Sequence, residues 1–210
     1  MPDDTRAAVV ARALLEAGTV GITPDEPVTF KSGLRSPVYV DNRKLIFRPG
    51  PWRVIIDGFA AALPPGQPVI AGVEAAGIPH SSALAFSAGL PSVFVRKEAK
   101  GHGLGRRIEG GDVGGRRAIL VEDMVTTGSS SLSAVEALRA AGAEVADCLA
   151  IITYGFRESL EAFDAAGVRL TTLTSFETVL MEALAVDAID ERAAGLVRSW
   201  LADPHAWDAR

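Results

Sequence analysis

One stretch of this 210-residue chain, Ile119 to Leu132, constrains the fold more than any other. It opens with an apolar run that has the length of a buried strand. Two adjacent carboxylates, Glu122 and Asp123, stand where that run ends, and a turn of small hydroxylated residues around Gly128 follows. Apolar residues then recur at helical spacing. The order strand, acidic pair, turn and helix is typical of the ligand-binding edge of an α/β sheet.

The small-residue turn has the chemistry of a phosphate site. Small side chains let backbone N–H groups approach phosphate oxygens, and the following helix adds unpaired N–H groups and its positive dipole end. Further donors come from the hydroxyls of Thr126, Thr127, Ser129 and Ser130. Carboxylates suit vicinal hydroxyls or a hydrated Mg²⁺ instead, so the whole stretch indicates a ribose 5-phosphate. A plain strand-to-helix turn with a Ser or Thr N-cap is the alternative.

This stretch resembles the phosphoribosyl pyrophosphate (PRPP) motif of type I phosphoribosyltransferases. The resemblance implies an α/β fold with a central, mostly parallel sheet flanked by helices and a small N-terminal hood. It implies a catalytic role for Asp123, and Mg²⁺ as a cofactor bound mainly through PRPP, near Glu122 and Asp123. The residues that it places on PRPP are Glu122, Asp123, Met124, Val125, Thr126, Thr127, Gly128, Ser129 and Ser130.

A basic segment at 96–110 carries a second set of candidates, in a chain of net charge −5. Glycines at 101, 103 and 105 disfavour a helix, so the segment is predicted to be a flexible loop. Such a loop could close over a departing pyrophosphate and exclude water. A solvated β-hairpin arm is the alternative.

The spacing Arg-Lys-x-x-Lys-x-His-Gly in this segment narrows the resemblance to orotate phosphoribosyltransferases. By that resemblance, Arg96, Lys97, Lys100 and His102 bind PRPP, and Lys100 and His102 are catalytic. The resemblance also implies a homodimer in which the 96–110 loop is shared between subunits.

The segment around Lys31 resembles the part of the same family that faces PRPP and orotate. A Lys-Ser-Gly turn is followed by Ser-Pro and an alternating strand. The resemblance assigns Lys31 to PRPP, and Tyr39, Val40 and Thr126 to orotate. The family often has two phenylalanines at the positions of Tyr39 and Val40, where a flat ring favours an aromatic wall. Composition alone makes Lys31 a solvated turn lysine.

The family pairs the orotate carboxylate with an arginine just after a later strand. In this chain that position holds Tyr154 or Gly155, and Arg157 follows. Two interpretations stand. Arg157 takes over the contact with orotate, or it is a surface residue at the start of the next helix.

Hydrophobic periodicity predicts alternating helices and strands along the chain. Helices are predicted at 3–17, 51–62, 80–88, 130–141 and 158–166, with two more within 176–201. Strands are predicted at 38–41, 69–73, 91–95, 145–153 and 168–173. Parallel strands joined by helices form right-handed βαβ units.

Length and charge bound the remaining possibilities. The chain suffices for a single domain with a hood at about 1–45, a core at about 46–175 and C-terminal helices at about 176–205. The negative net charge argues against nucleic-acid binding. No apolar run suits a membrane span or a signal peptide, so a cytoplasmic protein is expected.

These features together predict an enzyme that transfers ribose 5-phosphate from PRPP to orotate in de novo pyrimidine biosynthesis. The resemblance supplies the substrate. A purine phosphoribosyltransferase would share the PRPP motif without the basic-loop spacing. A regulator that binds PRPP without turnover is the alternative from a different class.

Overall fold

A computed structural model describes residues 4–29, 35–98 and 107–207. Three predicted site residues, Lys31, Lys100 and His102, lie outside these ranges, so their roles stay predictions. Within the described ranges the fold is α/β. No helix there combines the length and the apolar character that crossing a membrane requires.

A six-stranded sheet forms the centre of the described structure. Its strands are β5 (Val69–Val73), β6 (Ser92–Val95), β7 (Ile108–Glu109), β8 (Arg117–Val125), β9 (Glu144–Thr153) and β10 (Arg169–Ser175). The spatial order is β10-β9-β8-β5-β6-β7, and every pair is parallel except the antiparallel pair β6–β7. Helices cover both faces of such a sheet, which explains why its strands are continuous apolar runs.

Seven helices flank this sheet and the hood within the described residues. They are α1 (Asp4–Glu16), α2 (Pro49–Ala62), α3 (Gly77–Ala88), α4 (Ser129–Ala140), α5 (Arg157–Ala165), α6 (Phe176–Ala185) and α7 (Glu191–Ala202). Alternation along β8 divides the core in two: Ile119 and Val121 pack with α1, α2, α6 and α7, whereas Ala118 and Leu120 pack with α4 and Phe163 of α5.

The hood is built from short strands, of which the sequence pattern predicts only the last. Strand β1 (Val20–Ile22) pairs with β4 (Val38–Val40), and β2 (Val28–Thr29) pairs with β3 (Arg35–Ser36), both antiparallel. A 3-10 helix, Asn42–Phe47, leads into α2. Strands of two or three residues are too short for a period to emerge, so β1, β2 and β3 were missed.

Two predicted boundaries near the site are wrong. Helix α3 begins at Gly77 rather than His80, because Pro79 falls in its first turn, where no N–H donor is needed. Strand β8 does not end at the acidic pair. It continues to Val125, which pairs with Thr153 of β9. The two helices predicted within 176–201 are confirmed as α6 and α7.

His80 of α3 is a buried packing residue, and it makes folding stability depend on pH. Its Nδ1 accepts a hydrogen bond from Trp52 Nε1 at 3.0 Å. Burial lowers the pKa of His80 from 6.5 to about 4. The unfolded chain therefore takes up the proton first as pH falls. The stability contribution of the neutral ring is complete above pH 6.5 and is lost progressively toward pH 4.

As the pH falls from 7 to 4, we expect protonation of His80 to lower the unfolding free energy of the wild-type protein by about 3 kcal/mol. In His80→Asn, which retains an acceptor for Trp52 but does not titrate, that part of the loss should disappear. Urea unfolding at several pH values measures the difference. His205→Asn, at an exposed position, is the control and should follow wild type. Parallel pH profiles for wild type and His80→Asn would contradict this expectation.

Candidate active site

The acidic pair lies inside β8, close to its carboxyl end. The Glu122 side chain is buried, and its Oε2 has no hydrogen-bond partner among the described residues. Burial raises the pKa of Glu122 well above its ordinary value, and the neighbouring Asp123 charge raises it further. Burial also raises the pKa of Asp123. Hydroxyl donors or a divalent cation placed beside these oxygens would favour the ionised pair.

The turn after β8 leaves the start of α4 open to a ligand. Gly128, with φ +84°, is the N-cap residue of α4, and no side chain caps the helix. The alternative of a Ser or Thr N-cap is therefore wrong. Thr127 and Ser129 are exposed, with their hydroxyl oxygens 3.3 Å apart. An uncapped helix N-terminus beside exposed hydroxyls is suited to binding an anion.

Gly128 is required for both conformation and space. A Cβ added there would lie 2.8 Å from Phe163 Cε2, on a backbone that L side chains rarely adopt. We expect Gly128→Ala to lower the unfolding free energy by about 2–4 kcal/mol and to weaken PRPP binding, because the turn must shift away from Phe163. Urea unfolding and PRPP titration measure the two effects.

The matched control for this change is Gly167→Ala. Gly167 has φ +60°, but its added Cβ would meet nothing within 4 Å. That variant should lose only the about 1–2 kcal/mol of the left-handed backbone, with PRPP binding unchanged. Equal losses in the two variants would mean that Phe163 does not constrain the turn.

The base of the basic segment is fastened beside this turn. Arg96 N donates to Arg107 O, and Arg107 Nε donates to Arg96 O, both at 2.8 Å. Arg107 Nη1 also donates to the backbone and hydroxyl oxygens of Ser133 in α4. Lys97 N donates to Glu74 Oε2 at 2.9 Å. These bonds hold both ends of the predicted loop next to the turn at 126–130, which we call the phosphate turn.

Two adjoining cavities lie where these parts meet, and they share Lys97 and Ser130. The first, of 330 Å³, is lined by Val73, Val95, Arg96, Lys97, Arg107, Ser129, Ser130, Ser133 and Ala134. The second, of 320 Å³, is lined by Val40, Asp41, Arg43, Glu74, Ala75, Ala76, Lys97, Glu122, Asp123 and Ser130. A larger cavity of 580 Å³ lies beside the C-terminal end of α4, and no predicted site residue lines it.

The hood side of the second cavity includes residues that no sequence motif singles out. Asn42 is buried, and its Nδ2 donates to the backbone oxygen of Asp123 at 3.0 Å. Arg43 Nε donates to Asp41 Oδ1 at 2.6 Å. The sequence feature that could have identified Asn42 and Arg43 is the run Asp-Asn-Arg directly after the strand that contains Tyr39 and Val40. Polar residues at a strand end are candidates for a site.

The residues predicted for orotate are not all brought together. Val40 lines the second cavity, and Thr126 lies half-buried in the phosphate turn, but Tyr39 is not among the lining residues. Arg157 lies outside both cavities. Its side chain is 90% exposed and pairs with Glu161 one helical turn along α5. The structure therefore favours the surface interpretation of Arg157.

Of the two positions where the resemblance places a carboxylate-binding arginine, Gly155 has no side chain, and Tyr154 belongs to the core. Its ring packs against Phe156, Phe176 and Trp200, with centroids 5.1–5.4 Å away. Neither of the two positions after β9 where a site cation was expected therefore provides one. A cation for a carboxylate must come from elsewhere in this chain.

Comparison with known proteins shows similarity to phosphoribosyltransferases. A family model described as a phosphoribosyl transferase domain matches residues 57–178. Orotate phosphoribosyltransferase of Bacillus caldolyticus is 40% identical over 201 residues, which is 94% of this chain and 97% of that protein.

Two solved structures extend the comparison. Leishmania donovani UMP synthase aligns with TM-score 0.81 and 28% identity over 93% of this chain, which spans 42% of that longer protein. Mycobacterium tuberculosis orotate phosphoribosyltransferase in complex with PRPP aligns with TM-score 0.67 and 25% identity, over 83% of this chain and 98% of that one.

The parallel sheet, the uncapped phosphate turn at its carboxyl edge and the family match define a phosphoribosyltransferase. The fold implied by the sequence resemblance is thereby confirmed. Within this class, the 40% identity to the Bacillus caldolyticus protein, which extends over nearly the whole of both chains, shows the particular family. The chain belongs to the orotate phosphoribosyltransferase family.

Proposed function

We propose that this chain transfers the ribose 5-phosphate group of PRPP to orotate, which yields orotidine 5′-monophosphate and pyrophosphate for pyrimidine biosynthesis. The observation that carries the proposal is the meeting of three parts around the shared Lys97 and Ser130: the phosphate turn, the acidic pair and the base of the basic segment. The names of the similar proteins supply the substrate, and one of them is a complex with PRPP.

Each part has a separate task in this proposal. Thr126 to Ser130 hold the 5′-phosphate through backbone and hydroxyl donors. Glu122 and Asp123 face the ribose hydroxyls. Positive charge develops at ribose C1 as the bond to pyrophosphate breaks, and a nearby carboxylate lowers the free energy of that state. Orotate N1, held beside C1, then forms the new bond.

The departing pyrophosphate requires cations. Arg96 and Lys97 line the first cavity, where they can stabilise its charge. Lys100 and His102 follow them in sequence, outside the described residues, and we propose that they act on the same group. Lys31, also outside those residues, is proposed to contact PRPP from the hood.

Magnesium is the cofactor that this chemistry implies. In the described part of the chain, no three acidic, His or Cys side chains cluster closely enough to hold a metal ion. Carboxylates such as Glu122 and Asp123 would suit a position beside a hydrated Mg²⁺ that is held mainly by PRPP. When bound, Mg²⁺ lowers the cost of separating pyrophosphate from the ribose.

The resemblance also leads us to propose a homodimer that shares the 96–110 loop between subunits, in the cytoplasm. Two large aromatic side chains, Phe47 and Phe86, are 87% and 91% exposed, and they are candidates for burial between subunits. Mixing inactive Lys100→Ala and Asp123→Asn variants tests the sharing. Recovered activity in the mixture supports it, and none contradicts it.

The fall in absorbance as orotate is consumed, with PRPP and Mg²⁺, tests the proposed reaction. We expect consumption that requires both PRPP and Mg²⁺. Adenine and hypoxanthine are offered in parallel, since turnover of a purine instead would indicate a purine phosphoribosyltransferase. PRPP binding without turnover of any base would favour the regulator.

A further inference from the structure

A cavity that binds orotate must provide a cation for the orotate carboxylate. This carboxylate is on C6, next to the N1 atom that attacks the ribose. A cation for this group must therefore stand near the ribose and the acidic pair, not only near the far edge of the ring. Guanidinium groups are well suited, because they can donate two parallel hydrogen bonds to one carboxylate.

Two cationic side chains line the cavity that contains Glu122 and Asp123, among the described residues: Arg43 and Lys97. Lys97 also lines the first cavity, beside Arg96 and the phosphate turn, so it belongs with pyrophosphate. Arg43 lines only the second cavity, on the same side as Val40. Among the described residues, Arg43 is thus the cation that lines the cavity of the acidic pair and not the cavity of the basic segment.

The contacts of Arg43 hold its guanidinium while leaving donors for a ligand. Nε donates to Asp41 Oδ1, and the Asp41 side chain is only 16% exposed. Neither Nη atom donates to a described residue, and the side chain is 62% exposed. The preceding residue, Asn42, is buried and bonded to the backbone of Asp123. This bond ties the position of Arg43 to the acidic pair.

We infer that Arg43 binds the carboxylate of orotate and thereby selects orotate over uracil. The inference rests on the proposed function and deepens it. Asp41 orients the guanidinium, and Asn42 places it beside Asp123. Arg43 replaces, from the hood side, the arginine for which the core cluster around Tyr154 leaves no room.

Steady-state kinetics of Arg43→Gln and Arg43→Lys test the inference. We expect the orotate KM to rise about 30-fold or more in Arg43→Gln, and the PRPP KM to change by less than about 3-fold. Arg43→Lys should recover only part of the loss, because an ammonium cannot donate in the bidentate manner. Arg116→Gln, an exposed charge removal at the opposite end of β8, is the matched control.

Uracil as a competing substrate separates recognition from a structural effect. Uracil has the same ring without the carboxylate. If Arg43 binds that group, the preference for orotate over uracil falls in Arg43→Gln by the factor by which orotate kcat/KM falls. A structural disturbance would lower both substrates equally and would overturn the inference.

Two other outcomes remain distinguishable. A rise in orotate KM in Arg157→Gln, with Arg43→Gln unchanged, would move the role to Arg157. Wild type that consumes no orotate would refute the proposed function, and the assignment of Arg43 would fall with it.

Discussion

Asp123→Asn is expected to lower kcat/KM for PRPP by about 10²–10³-fold while leaving the protein folded. The variant keeps the shape of the side chain and removes the negative charge that, in the proposed mechanism, faces the developing positive charge on the ribose. Losses of that size are typical when one well-placed electrostatic group is removed from an active site. Kinetics at saturating Mg²⁺ and orotate measure the effect.

The stability of the same variant provides a second readout. Burial raises the pKa of Asp123, which means that ionised Asp123 is held at a cost in the folded protein. Asp123→Asn should therefore melt at the same temperature as wild type or higher. Glu136→Gln, on the exposed face of α4, is the control for removal of one carboxylate. Unchanged kinetics, or lost activity with lost structure, would count against the role of Asp123.

Trp200→Ala is expected to lower the unfolding free energy by about 3–5 kcal/mol. Trp200 is fully buried, and its ring packs against Tyr154 and Phe156. Its Nε1 donates to the backbone oxygen of Arg35 in β3 at 3.0 Å. The substitution thus opens a cavity in the core and also releases the hood from α7. Urea unfolding, followed by circular dichroism, measures the loss.

Two companion variants divide this effect into its parts. Trp200→Phe retains most of the apolar volume and removes the hydrogen bond, so it should cost about 1–3 kcal/mol. Trp207→Ala, at a half-buried position, should cost less than about 1 kcal/mol. If Trp200→Ala were no more damaging than Trp207→Ala, the aromatic cluster would not be a main support of the fold.

The local sequence pattern was sufficient to predict those parts of this protein whose residues are contiguous in the chain. The strand, the acidic pair and the phosphate turn are contiguous, so the motif at 119–132 is recognisable from its residues alone. Long periodic helices such as α1 and α7 were predicted close to their observed bounds. Strands β1, β2 and β3 of the hood were missed because each has only two or three residues. Strand β1 is recognisable only from its pairing with β4, which joins Val20 to Val40 across a long sequence separation.

The same distinction between local and distant contacts applies to the site. Glu122 and Asp123 are recognisable because they are adjacent, whereas the bond from Asn42 to Asp123 joins residues 81 positions apart. Arg157 had the better sequence position for orotate, yet helix α5 directs its side chain to Glu161. Arg43 has no motif to mark it, and only its place in the lining of the second cavity makes it a candidate.

The sequence by itself determined the α/β class, the carboxyl-edge phosphate turn and the membership of a family, because each depends on residues close together in the chain. Only the tertiary structure showed that Arg43 lines the cavity of the acidic pair, which makes it our candidate for the orotate carboxylate. The lining of that cavity depends on how the hood packs against β8. The absence of a cation after β9 depends on the packing of Tyr154 against Phe156 and Trp200 in the core. Both features result from packing between segments that are distant in sequence, so no local sequence pattern predicts them.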